Sequence, residues 1–536
     1  MDELPSEILI EIASKLDTDE KIVAMFVNRR WKLLMLNLKN KMKIIYKYDY
    51  TKIVASKGYL NVLIWARDNG CDSDEDMGKA AAKNGHLNIL QWAHQNGYPF
   101  DESTTAKAAK YGHHEILKWL REKGCPWDNM TCSFAAKNGH FEILKWAYMN
   151  GCPIGEYIGS YAARNGHFDI IKWVRDQCVL FDDYLCYFAA KNKHYDILKW
   201  GLKNDCRCYM DICSILAANG SLEMLKWIRE EGCRWDELTC SEAASEGHLD
   251  ILIWAHSNGC PFDRMTTYKA AEKGHLDILI WARSNGCPWN SGTSAIAALK
   301  GHLGILQWIR SHGCPWDIET SINAATNGHA EVLKWAILNG CPTNSSVCAK
   351  LAKRGDLDLL KWVWENGCGC DETTCRAAGI GGHLDILIWL REKGCPWDHS
   401  TCSGAAEEGH LNVLKWARLH GCEWNERTCS NAAFEGHLDI LRWAHQNGCP
   451  WDKWVCLHAT SSGNFHVLNW AYEHDFPFDE SICESAAEWG HLGILKWLCS
   501  LGYQINERTY QVAYQHNKIR RWLCENNCPG SDKDNN

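Results

Sequence analysis

Tryptophan recurs along this chain with a fixed step of 27 residues. From Trp65 to Trp497 sixteen successive steps pass without one insertion or deletion, and a further copy follows at Trp522 after a gap of 25. Two neighbouring copies read "GHLDILIWAHSNGCPFD" (247–263) and "GHLDILIWARSNGCPWN" (274–290). A 27-residue unit is too short to bury its own apolar face. Strict repetition therefore means a stack in which each unit is completed by its neighbours.

Each unit predicts two helices. Asp or Asn stands nine residues after the Trp in 15 of the 17 registered copies, Asp128, Asp236, Asp398 and Asn425 among them. A short acceptor side chain there suits an N-cap. The segment 129–138 follows with Ala-Ala, which lets helices approach closely, and Gly139 suits the left-handed residue past a helix end. The second helix, 140–150, sets Phe141, Ile143, Leu144, Ala147 and Tyr148 on one broad face. Gly151 and Pro153 end it. No stretch alternates with a period of two, so no strand is predicted. The expected fold is all-α: an α-solenoid of about 18 helix pairs, spanning about 150–180 Å at the usual helix spacing.

The 29 Cys and 29 Trp are the compositional oddities of a 536-residue chain with net charge −9. That balance provides no basic field for nucleic acid or anionic membrane, and no apolar run approaches the roughly 20 residues of a bilayer span. The start, "MDELPSEILIEIASKLDTDEK", carries acids where a secretory leader carries Lys or Arg. An intracellular, cytoplasmic, monomeric protein is expected.

The recurrent His and Cys invite a metal or catalytic reading. Cys lies six residues after the Trp in fourteen copies and thirteen after in ten more. Equivalent residues in adjacent layers lie roughly 8–10 Å apart, beyond disulfide reach, so neighbouring rungs are not expected to crosslink. The close pairs Cys206/Cys208 and Cys368/Cys370 lack the second facing pair that zinc needs. Thirteen equivalent His settings, such as His86, His113 and His248, argue for a structural bond to the backbone rather than for catalysis. The Trp ladder lacks an accompanying Lys/Arg stripe, which favours core packing over base stacking. No catalytic residue, metal site or cofactor is assigned.

The run "AAEKGHLDILIWARSNGC" (270–287) resembles the ankyrin repeat in its Ala-Ala, Gly-His, Ile-Leu and final Gly. Three departures matter: a period of 27 rather than about 33, Trp-Ala in place of a medium-sized pair, and Cys where ankyrins favour Ala. The shortening falls between "GCPWD" and "TCS", where that family carries its β-hairpin, so shortened hairpins are expected. Residues 1–45 break the repeat and resemble the F-box at Leu4, Pro5, Glu7, Ile8, Ile12, Leu16, Asp17, Val27, Arg29, Trp31 and Leu34, with departures at Asn28, Glu20 and Lys21. The resemblance implies a three-helix segment. It would dock a Skp-type adaptor and cullin complex through Leu4, Pro5, Ile8, Ile12, Leu16, Val27, Trp31 and Leu34. The chain would then be a substrate receptor of a cullin–RING ubiquitin ligase, with catalysis left to the E2 and its RING partner. The alternative is a helical cap on a stand-alone scaffold or inhibitor.

The combination is similar to F-box and ankyrin proteins of large DNA viruses infecting amoebae, which implies action in a host cytoplasm on host ubiquitination. Lysines 39, 41, 43 and 47 suit either a nuclear signal or a solvated junction. The expected domains are 1–45, the solenoid 46–528 and a disordered tail 529–536.

Recognition of a protein target is expected at positions that vary. Fifteen residues after the Trp, the copies read Lys107, Phe134, Tyr161, Phe188, Ile215, Glu242 and Lys269. With Tyr157, Tyr184, Tyr187 and Tyr209 these aromatics form either an exposed partner site or compensating core. The first alternative requires Phe134, Tyr161 and Phe188 to be solvent-exposed.

Overall fold

A computed structural model describes residues 49–526 apart from 69–74, 178, 180, 183, 205, 207–210, 475, 477 and 480. All regular structure among them is helical. The chain divides into two units, Met1–Phe262 and Asp263–Asn536. Within each, short helices alternate in pairs.

In the first unit one pair is Asn129–Lys137 and Phe141–Met149. Asp128 caps the first helix, its carboxylate accepting from the Met130 amide at 3.0 Å, as the Asx position predicted. Gly139 adopts φ +76°. Ala135 and Ala136 are fully buried against the preceding first helix, Glu102–Lys110. On the second helix the buried set is narrower than predicted: Ile143, Leu144 and Ala147. Phe141 and Tyr148 are half-buried and meet Trp173 of the next pair edge-on, at 5.9 and 5.5 Å between ring centres. In the second unit, Ile318–Asn327 and Ala330–Leu338 repeat the design, with Asp317 capping and Gly328 in the left-handed region.

The core of each layer is therefore Ala, Ile, Leu and Cys, while the Trp rings lie half-buried along a seam of the second helices. Trp127 meets Trp146 edge-on at 5.9 Å and Trp424 meets Trp443 at 5.7 Å, with Arg121 and Arg418 over Trp127 and Trp424 at 4.4 and 4.2 Å. This corrects the expectation of a Trp core. A side chain that large fits the seam, where one ring face stays open.

The recurrent His is a joint between layers. Nε2 of His113, His140, His167, His329 and His410 each lies 3.0–3.2 Å from the backbone carbonyl thirty residues earlier. A carbonyl only accepts, so that nitrogen carries the proton. The Gly one layer below makes room: a Cβ on Gly112 would lie 2.8 Å from the His140 ring.

The recurrent thiols are joints too. Cys152, Cys260, Cys287 and Cys422 donate to the carbonyls of Asp128, Asp236, Asp263 and Asp398, the N-cap residues one layer back, at 3.2–3.3 Å.

One expectation fails. Cys370 and Cys395 form a disulfide with Cα atoms 5.9 Å apart. The spacing argument compared equivalent positions, whereas these two stand eight and six residues after their Trp, and that offset brings them within reach.

Candidate functional site

The adaptor residues Leu4, Pro5, Ile8, Ile12, Leu16, Val27, Trp31 and Leu34 lie outside the described residues, as does Tyr209. The remaining candidates share one surface of the first unit, made by the first helices of successive pairs. Phe134, Tyr161 and Phe188 are half-buried rather than solvent-exposed, so the exposure the partner-site reading requires is met only in part; Ile215 is half-buried too, and each is flanked by the buried Ala or Leu that follows it in the helix. Tyr157 and Tyr184 are exposed, and Tyr187 is half-buried. Tyr184 and Tyr187 pack edge-on at 6.4 Å, and Tyr187 meets Phe188 at 5.2 Å. Tyr161 and Ile215 stay in the same register two layers apart.

A row of cations that sequence reasoning missed runs beside these rings. Lys83, Lys110, Lys137, Arg164 and Lys191 recur every 27 residues, each eighteen after a Trp. Their heads lie over rings. Lys110 is 5.4 Å from the centre of Phe134, Lys137 is 5.6 Å from Tyr161, and Arg164 is 5.6 Å from Phe188. Where the next layer offers Ile215 instead of a ring, Lys191 turns back to its own Tyr187, 5.4 Å away. Where it offers Lys107, Lys83 goes to Tyr111 at 5.5 Å. The signal was present in the sequence three residues beyond the aromatic position. It went unread because a stripe was sought only beside the Trp ladder.

Lys52 and Lys79, at the near end of the same surface, are neutralised. Lys52 pairs with Asp76 at 3.2 Å, and Lys79 with Asp101 at 3.1 Å. Hydrogen bonds from Ser103 and Thr104, together with Lys79, hold the Asp101 carboxyl below its ordinary range, outweighing the upward push of burial. In the second unit the first-helix surface carries an open groove of 780 Å³ lined by Arg376, His399, Arg427, Asn431, Trp454 and His458, with Trp454 half exposed. Among the described residues no group of three or more His, Cys, Asp or Glu is arranged to hold a metal ion. No described helix is long and apolar enough to cross a membrane.

Burial pushes the core thiols of Cys125, Cys287 and Cys375 up to about 12, which suits packing and hydrogen-bond donation rather than nucleophilic attack. What this surface offers is positive charge and flat apolar area.

Comparison with known proteins separates the two parts of the chain. Residues 1–43 match the F-box domain, and residues 106–147 match "Ankyrin repeats (many copies)". The chain carries an F-box and ankyrin-type repeats. No curated protein matches it. Among solved structures, the pentatricopeptide repeat protein PPR10 in complex with an 18-nt psaJ RNA element is 12% identical over 97% of this chain and 98% of its own, with a TM-score of 0.36. The same protein from maize scores 0.30, and the human ASB11 ankyrin repeat domain, 15% identical over 29% of this chain and 84% of its own, scores 0.25. At that level of superposition they add nothing to the fold described above.

Proposed function

We propose that this chain is the substrate receptor of a cullin–RING ubiquitin ligase of the Skp-adaptor type. The F-box match over residues 1–43, followed by a repeat array with a cationic, aromatic surface, carries the reading. Leu4, Pro5, Ile8, Ile12, Leu16, Val27, Trp31 and Leu34 dock the adaptor. Phe134, Tyr161, Phe188, Ile215, Tyr157, Tyr184 and Tyr187 belong to the substrate-capturing surface. The solenoid runs from 46 to 528 and ends in a short tail.

Mechanistically the chain positions and the partner reacts. A stack whose layers are tied by the same His and Cys joints holds one surface in fixed register, so a captured protein is presented to the E2 rather than transformed by this chain. The work is done in the cytoplasm. By the likeness to proteins of amoeba-infecting viruses, the target is a host protein.

Pulldown of the Skp adaptor by the purified chain, beside a Leu4→Ala/Pro5→Ala variant, tests the reading. Adaptor captured by the chain and lost by the variant supports it. No capture by the unmodified chain removes it and leaves residues 1–45 as a helical cap on a scaffold or inhibitor.

A further inference from the structure

The first-helix surface of the first unit holds six cations, Lys83, Lys107, Lys110, Lys137, Arg164 and Lys191. Among the described residues none of them has a carboxylate within 4 Å. Three second-helix lysines of that unit are paired instead: Lys118 with Glu115 at 2.9 Å, Lys145 with Glu142 at 3.1 Å and Lys226 with Glu223 at 2.8 Å. Among the described residues, unpaired lysines also stand on the second helices, such as Lys172 and Lys199, so what distinguishes the stripe is its place on the first-helix surface beside the aromatic rings. The row also stops where it began: the next residues in register after Lys191 are Ala218 and Ser245. Five successive layers carry an uncompensated charge, each held near a ring that keeps it from folding away.

Spacing narrows what fits. Packed helix layers repeat every 8–10 Å or so. A polyproline II chain has three residues per turn and rises about 3.1 Å per residue, so it returns to the same side about every 9 Å. A β-strand returns about every 6.6–6.8 Å and falls out of step within two layers. Polyproline II segments also dock on aromatic-lined surfaces because their conformation costs little to fix, and Tyr157 and Tyr184 offer such rings here. A net charge of −9 gives the whole chain no long-range pull on any polyanion, so the repeat spacing, rather than charge, favours the peptide.

We infer that the stripe from Lys83 to Lys191 binds an acidic, proline-interspersed protein segment in the polyproline II conformation, with an acid at every third residue facing one cation per layer. This rests on the substrate-receptor reading for its biological sense, not for its chemistry.

The test is fluorescence anisotropy with the full chain and three labelled probes. The first is a proline-rich peptide of about 15 residues with Glu at every third position, enough for five layers. The second has the same composition with its Glu residues clustered at one end. The third is a polythymidine strand of similar length. The spaced peptide should bind roughly tenfold tighter than the clustered one, and its affinity should fall as salt rises. Lys110→Glu/Lys137→Glu/Arg164→Glu should weaken it by roughly tenfold or more, with helical circular dichroism unchanged. If that variant misfolds, Lys110→Gln/Lys137→Gln/Arg164→Gln takes its place.

Equal affinity for both peptides, tighter binding of the polythymidine strand, or peptide binding that the substitutions leave unchanged overturns the inference. Adaptor capture is read separately: peptide binding without it removes only the ligase reading, and adaptor capture without peptide binding removes only this one.

Discussion

At the scale of single residues, the joints can be read from the copies that break them. Lys193 stands where nearly every other layer has Gly and is the one described non-Gly residue with positive φ, at 62°. One layer on, the His position is Ser221, whose small side chain leaves room for the Lys193 Cβ. Asn219 donates to the neighbouring Ala190 carbonyl at 2.8 Å, and Tyr195 bonds the Ser221 hydroxyl. At Asp356 the Arg354 guanidinium takes the slot, bonding Asp356 at 2.8 Å and the Thr326 carbonyl at 3.3 Å. Asn464 reaches the Phe434 carbonyl at 2.6 Å. At Asp356 and Asn464 the carbonyl that His would bond finds another donor.

Two predictions belong at this scale. Gly139→Ala strains a left-handed position and drives a Cβ to 2.6 Å from the His167 ring. It should cost about 1–3 kcal/mol, and His167→Ser about 0.5–1.5 kcal/mol through the lost bond to the Lys137 carbonyl, which keeps the Asn165 amide as a donor. The double variant should cost less than the sum, because the ring clash is relieved. A double-mutant cycle by urea unfolding measures this, and strict additivity contradicts the joint. Thr320 is fully buried and its hydroxyl has no hydrogen-bond partner among the described residues, so Thr320→Val should stabilise by about 1 kcal/mol. A drop in the urea midpoint would show that the hydroxyl is used.

At the scale of the helix pair, the thiols set the chemistry. Burial raises Cys125, Cys213, Cys287 and Cys456 to about 12 and Cys341 to about 11. The folded state therefore holds these protons more tightly than the unfolded chain, whose thiols titrate near 8.5. Their contribution is complete below that pH and is lost as pH rises through the folded values, since the unfolded state then binds fewer protons. Thermal stability should hold from neutral pH to about 8.5 and fall steadily toward pH 11. A flat profile over that window contradicts the role of the thiols. Alkylation at neutral pH should label the exposed Cys524 and spare the buried thiols; mass mapping of labelled peptides reads it.

The helix pairs themselves were legible in the sequence, because the Asx caps, Ala-Ala pairs and terminal glycines act locally. The Trp seam was not. Periodicity reports that a face is apolar, but not which part of it is covered by the next layer. The Cys370–Cys395 bond was hidden for a related reason, as period alone compares like positions with like.

At the scale of the molecule, the account has two working parts, an F-box over residues 1–43 and a repeat array. The aromatic candidates were found because they interrupt a regular pattern. The cations beside them were missed because each looks like an ordinary surface lysine until the rings and the absent carboxylates are seen together. The cationic stripe is confined to five layers, while the joints recur in both units.

The measurement that tests the central claim most directly is co-elution of the full chain with the Skp adaptor and the spaced acidic peptide on a sizing column. The account predicts a ternary complex in which Leu4→Ala/Pro5→Ala loses the adaptor alone and Lys110→Glu/Lys137→Glu/Arg164→Glu loses the peptide alone. A chain that retains neither partner, or variants that lose both together, would contradict it.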